Sequence, residues 1–296
     1  MDLLIVIPCR DGAETLPIAL DSLLAQTEPA RRIVVVDDGS TDRTAEIALS
    51  YARRSPTVGY LRRPRPNEAR ESGRGIAEVV MYGMRELDWR SYAYVAKFDD
   101  DDQYPPDYLA RCLAAFEANP RAGLVGGLCN VRDAAGEWVP EQIAKDDHVR
   151  GGLKVYRREA FAEMGGIAPC TGWDTIDEHR LRYLGWDVVV LVDGARVNHH
   201  RATHAATPPH RMARKLGRSL YNMGASADVV FVSLLKQSIV GHSRLPFWSA
   251  VAGYLEAWRA GPPPELTSEE AAFANAYRRR GYREQLARYA PQLGGQ

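Results

Sequence analysis

YVAKFDDDDQYPPDYL, residues 94–109, carries the reading of this chain. Tyr94–Phe98 is a short apolar run of the kind that forms a strand buried on both faces, and it ends directly in Asp99, Asp100, Asp101 and Asp102. Tyr104–Pro106 then punctuate a turn before a helix over Asp107–Asn119, stopped by Pro120. Adjacent carboxylates repel one another by about 1 kcal/mol per pair at ~4 Å even in water, and by more near a protein surface. Four in a row therefore require a nearby cation or full solvation. Hard oxygen donors at a strand end suit Mg²⁺ or Mn²⁺, ions usually held by one or two carboxylates together with substrate phosphates.

Upstream, Leu3–Ile7 is a continuous apolar run ended by Pro8, and Ile33–Val36 is a second, ending in Asp37 and Asp38. Between them Leu16, Leu20, Leu23, Leu24 and Thr27 mark one side of a helix. Ser40 or Thr41 is positioned to cap a helix that begins near Asp42. Val58–Leu61 reads as a third strand, Arg62–Arg74 as a Pro- and Arg-rich loop, and Ile76–Leu87 as a helix. The β-α-β-α-β order implies an α/β protein with a mainly parallel sheet flanked by helices, in which ligands bind beyond the carboxyl ends of the strands. Both acidic clusters sit at such ends.

Later segments continue in mixed order. Gly123–Cys129 and Val188–Val192 read as strands, Arg132–Glu137 as a hairpin tip, Arg158–Met164 and Thr175–Leu184 as helices. His199 and His200 lie just past the last strand, and from Pro208 onward the pattern is helical with a break at Gly261–Pro264. Thirty-eight basic residues balance thirty-eight acidic ones, which argues against a nucleic-acid binder. Four cysteines, Cys9, Cys112, Cys129 and Cys170, have no metal-ligand spacing and read as reduced thiols. No signal peptide is expected from the N-terminus, and no run approaches the roughly 20 apolar residues of a membrane span. A cytoplasmic protein is expected.

Three blocks in this order, IVIPCRD (5–11), IVVVDDGSTD (33–42) and FDDDDQYPPDYL (98–109), resemble the family 2 glycosyltransferases of the GT-A fold. The resemblance covers roughly Asp2–His200. It implies a catalytic domain over 1–204, with a nucleotide-binding part (1–104) and an acceptor-binding part (105–204), and a helical C-terminal extension over 205–296. It further implies that Pro8, Arg10, Asp37 and Asp38 hold the nucleoside, Asp38 at the base edge, with Arg74 assigned to the donor as well. Asp99-Asp100-Asp101 then matches the family's Asp-x-Asp motif: Asp99 by the ribose, Asp101 on the metal, Asp102 supporting it. The motif usually has a small middle residue, and Asp100 departs from it.

In TGWDTIDEHRLRYLGWDV (171–188) the resemblance assigns the catalytic base to the acidic pair Asp177-Glu178, with Asp177 favoured. More common members have the order Glu-Asp. His199 or His200 is implied as a further metal ligand beside Asp99 and Asp101. The activity implied is inverting transfer of a sugar from a nucleotide diphosphate to a hydroxyl acceptor, such as a glycan, a lipid-linked saccharide or a small molecule, with Mn²⁺ or Mg²⁺ as cofactor. The alternatives are a nucleotidyltransferase acting on sugar phosphates, whose glycine-rich loop PCRDGAE does not resemble, and a non-catalytic binder of nucleotide or carbohydrate.

Toward the C-terminus, Arg211, Arg214, Lys215 and Arg218 share one helical face, with Met212, Leu216, Leu220 and Met223 on the other. The basic face is suited to closing over a diphosphate or meeting anionic lipid, or to plain solvation. Leu245–Trp258 is apolar with aromatics at both ends but too short to span. Packing on the core or in a homodimer is the favoured reading of that segment, and peripheral membrane contact the alternative.

Overall fold

The computed structural model of the chain describes residues 1–64, 74–133, 135–141, 147–201, 208–239 and 246–293. Contacts divide it into two compact units, Met1–Pro169 with Leu184–Thr203, and Cys170–Tyr183 with His204–Gln296. Among the described residues, no helix is long and apolar enough to cross a membrane.

The first unit is built on one sheet. In chain order its elements are β1 (Leu3–Cys9), α1 (Leu16–Leu24), β2 (Arg32–Asp37), α2 (Thr44–Arg54), β3 (Val58–Arg62), α3 (Arg74–Glu86), β4 (Tyr94–Phe98), β5 (Asp102–Gln103), α4 (Tyr108–Ala118), β6 (Ala122–Arg132), β7 (Trp138–Pro140), β8 (Leu153–Arg157), α5 (Arg158–Glu163) and β9 (Asp187–His199). The strand order is β3-β2-β1-β4-β8-β6-β9-β5, with β7 paired to β6. β3, β2, β1 and β4 run parallel, as the sequence leads one to expect. Beyond β4 the directions mix: β8 is antiparallel to β4 and β6, β9 is parallel to β6, and β5 is antiparallel to β9.

Sequence and packing agree most closely in the parallel half. Leu3, Leu4, Ile5, Val6 and Ile7 of β1 are all fully buried, as a strand covered on both faces requires. On α1 the buried stripe is Leu16, Ala19, Leu20 and Leu23; Leu24 and Thr27 face solvent. The cap of α2 is neither Ser40 nor Thr41. Its first residue is Thr44, whose backbone N–H donates to Asp42 Oδ1 at 2.9 Å, so the carboxylate satisfies the first turn.

β9 is longer than the apolar run Val188–Val192 indicates. Its pairing with β6 slips between Gly127 and Leu128, so that Gly127 opposes Leu191 and Leu128 opposes Arg196. This bulge includes Gly194 at φ 71° and re-aims the last four residues of β9, setting His199 opposite Asp102.

The second unit comprises α6 (Trp173–Tyr183), α7 (Pro209–Asn222), α8 (Ala227–Ile239), α9 (Phe247–Ala260) and α10 (Ser268–Leu293). A sequence boundary near residue 204 does not describe these contacts, because α6 is tied to the C-terminal helices. Arg180 pairs with Glu270 at 2.9 Å, the Tyr183 hydroxyl donates to Glu269 at 2.7 Å, and Asn222 Nδ2 donates to the Thr171 carbonyl at 2.9 Å. α7 and α9 touch backbone to backbone. A Cβ on Gly217 would lie 1.9 Å from the Ala250 carbonyl oxygen, and one on Gly253 would lie 2.2 Å from that of Arg214. Hence the described part of the apolar segment, in α9, packs inward through small residues, Ala250, Gly253 and Ala257, rather than through its aromatics, and Leu245 lies outside the described residues.

This crossing predicts opposite outcomes for two glycine substitutions. Gly253→Ala must displace backbone and is expected to cost about 1–3 kcal/mol or more, whereas at Gly281 a Cβ meets nothing within 4 Å. Gly281→Ala, in helix α10, should stabilise by up to about 1 kcal/mol. Urea unfolding monitored by circular dichroism separates the two; equal midpoints would refute the close crossing.

Candidate active site

The carboxyl ends of β1, β2 and β4 form one rim, with Cys9 in register beside Asp37. Two loops are laced together there. Asp11, at φ 52°, accepts the Thr41 N–H at 2.8 Å and donates its own N–H to Ser40 Oγ at 3.0 Å, while Ala13 N–H donates to Asp42 at 3.0 Å. Ser40 and Thr41 therefore join the loops instead of capping a helix.

Asp37 is fully buried and accepts bonds from Ser40 N–H and the Tyr60 hydroxyl, both at 2.7 Å. Burial and that bond push Tyr60 up to about 12, so it stays a donor. Asp38 pairs with Arg63 at 3.0 Å, and Arg63 also reaches Glu78 at 3.3 Å. Pro8 is half-buried on β1. Arg10 has a buried Nη1 with no hydrogen-bond partner among the described residues, and its ion pair with Asp11 is long, at 3.8 Å. A buried donor of this kind is ordinarily satisfied, so Arg10 offers a ready partner to an anionic ligand. Arg74 opens α3, but its side chain lies outside the described residues, as do residues 65–73 of the expected loop.

Each aspartate of the run 99–102 has its own counter-group. Asp99 is bonded to the buried Lys97 ammonium. Burial alone would raise its carboxyl, and Lys97 more than reverses this, holding it below the usual range. Asp100 accepts from Cys9 Sγ at 3.2 Å and faces Arg201 at 3.3 Å. Arg201 also lies 3.9 Å from Asp101 and donates to Thr15 Oγ1 at 3.1 Å. Burial still raises Asp100 above its ordinary value. Asp102 is bonded to His199 Nδ1 at 2.8 Å, and Asp101 lies 3.6 Å from the same nitrogen. Burial, reinforced by the Asp99 charge, pushes both Asp101 and Asp102 up to about 6. Burial pulls the His199 imidazole down, but its bond to Asp102 leaves it raised overall.

Asp101, Asp102 and His199 form the candidate metal-holding group, with one donor atom from each lying within 4.8 Å of the others. Two carboxylate oxygens and an imidazole nitrogen in a buried, acid-rich setting suit Mn²⁺ or Mg²⁺. The composition of the group differs from the expected ligands Asp99 and Asp101. Asp99 is taken up by Lys97, and Asp102 stands in the group instead. The two histidines diverge because successive strand residues point to opposite faces. His200 lies outside the group, bonded to Gln103 at 3.2 Å and edge-on to Trp138 at 5.1 Å. The charged middle residue Asp100 is accommodated by turning to Cys9 and Arg201.

Close approach is essential here. A Cβ on Gly152 would come within 2.3 Å of Asp99 Oδ2 and 2.7 Å of Asp102 Oδ2; one on Gly12 would strike Asp100 and Cys9. Beneath the run, Phe98 stacks on Tyr104 at 4.6 Å. Gln26 clamps the following turn, donating to the Pro105 carbonyl at 2.7 Å and accepting the Leu109 N–H at 2.9 Å.

Asp177 and Glu178 belong to the second unit, and both are buried. They do not open their helix: α6 starts at Trp173, with Asp174 as the acid of its first turn. Glu178 is paired with Arg182 at 3.2 Å, and Asp177 Oδ1 accepts the Glu178 N–H at 2.7 Å.

Sequence reasoning overlooked Lys97, Tyr60, Arg63, Gln26, Gly152 and Arg201. Lys97 carried a signal, a lone charge inside the apolar run YVAKF two residues before the acids. The others are polar or small residues whose roles depend on distant partners.

The family model described as Glycosyl transferase family 2 matches residues 4–189. The chain belongs to glycosyl transferase family 2. Similar curated relatives include the poly-beta-1,6-N-acetyl-D-glucosamine synthase of Staphylococcus epidermidis, 27% identical over 195 residues (65% of this chain, 44% of the relative). The succinoglycan biosynthesis protein ExoA of Rhizobium meliloti is 32% identical over 190 residues (55% of this chain, 52% of the relative). The chain thus spans about half the length of these relatives. Among solved structures, the Pyrobaculum calidifontis mannosyltransferase PcManGT, in complex with GDP-Man and Mn²⁺, has a TM-score of 0.59 at 21% identity, covering 93% of this chain and 79% of that one. S. aureus TarS 1-349 in complex with UDP-GlcNAc has a TM-score of 0.60 at 16% identity, covering 87% of this chain and 81% of that one. At such identities the likeness is one of fold, and that fold is GT-A.

The close fit at Gly152 gives a direct check on the acidic group. Gly152→Ala should displace Asp99 and Asp102 and weaken Mn²⁺ binding on the order of 10–100-fold. Electron paramagnetic resonance of free Mn²⁺ reads the effect, and undiminished affinity would mean these carboxylates do not form the ion's site.

Proposed function

We propose that the chain is an inverting glycosyltransferase that moves a sugar from a nucleoside diphosphate to a hydroxyl acceptor. The observation that carries this reading is the Asp101–Asp102–His199 group at the carboxyl end of a nucleotide-binding type of sheet. The paired acids Asp37 and Asp38 stand on the same rim.

The roles follow from the partners. Asp38 and its Arg63 neighbour face the nucleoside base, Pro8 and Asp37 shape the floor beneath it, and Arg10 supplies an unused guanidinium N–H to an anionic oxygen. Asp101, Asp102 and His199 hold the divalent cation, Mn²⁺ or Mg²⁺, and the chemistry it supplies is positive charge opposite the departing diphosphate. Asp99, anchored by Lys97, is left for the donor sugar-nucleotide's ribose. Asp177, the member of the acidic pair that the family resemblance favours, accepts the proton of the acceptor hydroxyl, with Glu178 beside it paired to Arg182. The relatives supporting this reading are named for polysaccharide synthesis, so a glycan or lipid-linked saccharide is the acceptor class favoured here.

Incubation with UDP- and GDP-sugars, Mn²⁺ and candidate glycans should yield free nucleoside diphosphate and a product of inverted anomeric configuration by NMR. Asp101→Ala and Asp177→Asn are each expected to lower turnover on the order of 10²-fold or more. Pyrophosphate among the products would mean nucleotidyl transfer. Nucleotide binding without turnover would mean a binding protein.

A further inference from the structure

The second unit carries an aromatic surface that its own core leaves uncovered. Trp248 is 78% exposed and Phe231 56% exposed, values unusual for such large apolar side chains. They are linked through Phe247, whose ring lies 6.3 Å from that of Phe231 and 5.3 Å from that of Trp248. Leu235, one turn beyond Phe231 on α8, is exposed as well. The buried side of α8, Val229, Ser233 and Leu234, faces the opposite way, so this is an outward surface and not a gap in packing.

Charge sorts with it. α7 contains four Arg or Lys residues and no acid. The contacts of Arg214 with Gly253, and of Gly217 with Ala250 and Tyr254, set α7 and α9 backbone to backbone. His210, Arg211 and Arg218 are exposed on α7, and Trp248 is exposed on the adjoining α9. Arg214 pairs with Glu256, while Arg211 and Arg218 have no acidic partner among the described residues.

We infer that this face docks on an anionic lipid surface, the aromatic side chains entering the headgroup region and the arginines meeting lipid phosphates. Exposed aromatics on one helix and exposed cations on the helix packed against it are the pattern of a helix pair lying in the interface, and none of the described helices can span. Four cations and no acid on α7 complement an anionic surface better than a second copy of the same basic face. The inference is independent of the proposed reaction.

Co-sedimentation with two kinds of vesicle tests it. The full chain should bind vesicles of equal parts phosphatidylglycerol and phosphatidylcholine, and bind pure phosphatidylcholine far more weakly. The double variant Phe231→Ser, Trp248→Ser should lose partitioning on the order of tenfold or more, as should Arg211→Glu with Arg218→Glu. All four positions are exposed, and circular dichroism checks that both variants stay folded. Binding unchanged by either variant, no binding to either vesicle, or a concentration-dependent dimer that the serine variant abolishes would each overturn the assignment.

Discussion

Four carboxylates at the end of one buried strand impose the constraint around which the first unit is arranged. At contact distances such charges repel by several kcal/mol in a partly buried setting, and the fold answers with a different partner for each. Lys97 is buried in the strand itself for Asp99, Arg201 reaches back from the far side of the sheet for Asp100, and His199 serves Asp101 and Asp102. The bulge in β9 precedes the stretch in which His199 pairs in register with Asp102. Gly12 and Gly152 leave room for the carboxylates to gather. Burial nevertheless leaves Asp100, Asp101 and Asp102 raised above their ordinary values.

Much of this was legible in the sequence where the signal was local. The continuous apolar runs of β1, β2 and β4, each ending in polar or acidic residues, identify the parallel half of the sheet and the rim on which ligands gather. What escaped was non-local. Nothing near Val188–Val192 announces a strand running on to His199, because its second half is polar and its pairing depends on a slip against β6. The choice between His199 and His200 is a matter of strand parity, decided only once β5 and β9 are paired. Asp102 replaces Asp99 in the candidate metal group because a lysine two residues upstream has claimed Asp99, a competition invisible to motif spacing. The cap of α2 illustrates the same limit on a small scale: Ser40, Thr41 and Asp42 are all competent, and the first two are drawn away by the neighbouring loop.

The second unit follows another logic. Its helices approach through glycine and alanine, which permits backbone contact between α7 and α9 and leaves Phe231, Trp248 and Trp258 outside. α6, with Asp177 and Glu178, is bound to these helices by ion pairs and hydrogen bonds. The proposed base and the proposed metal group are thus carried by separately packed parts of the chain.

The proposed transfer depends on a divalent cation at the acidic group when a sugar nucleotide binds. Isothermal titration of UDP- and GDP-sugars into the wild-type protein, in saturating Mn²⁺ and again in EDTA, measures this directly. The account predicts that at least one donor binds on the order of tenfold or more tightly with the ion present. Equal affinity in the two conditions for every donor would contradict it.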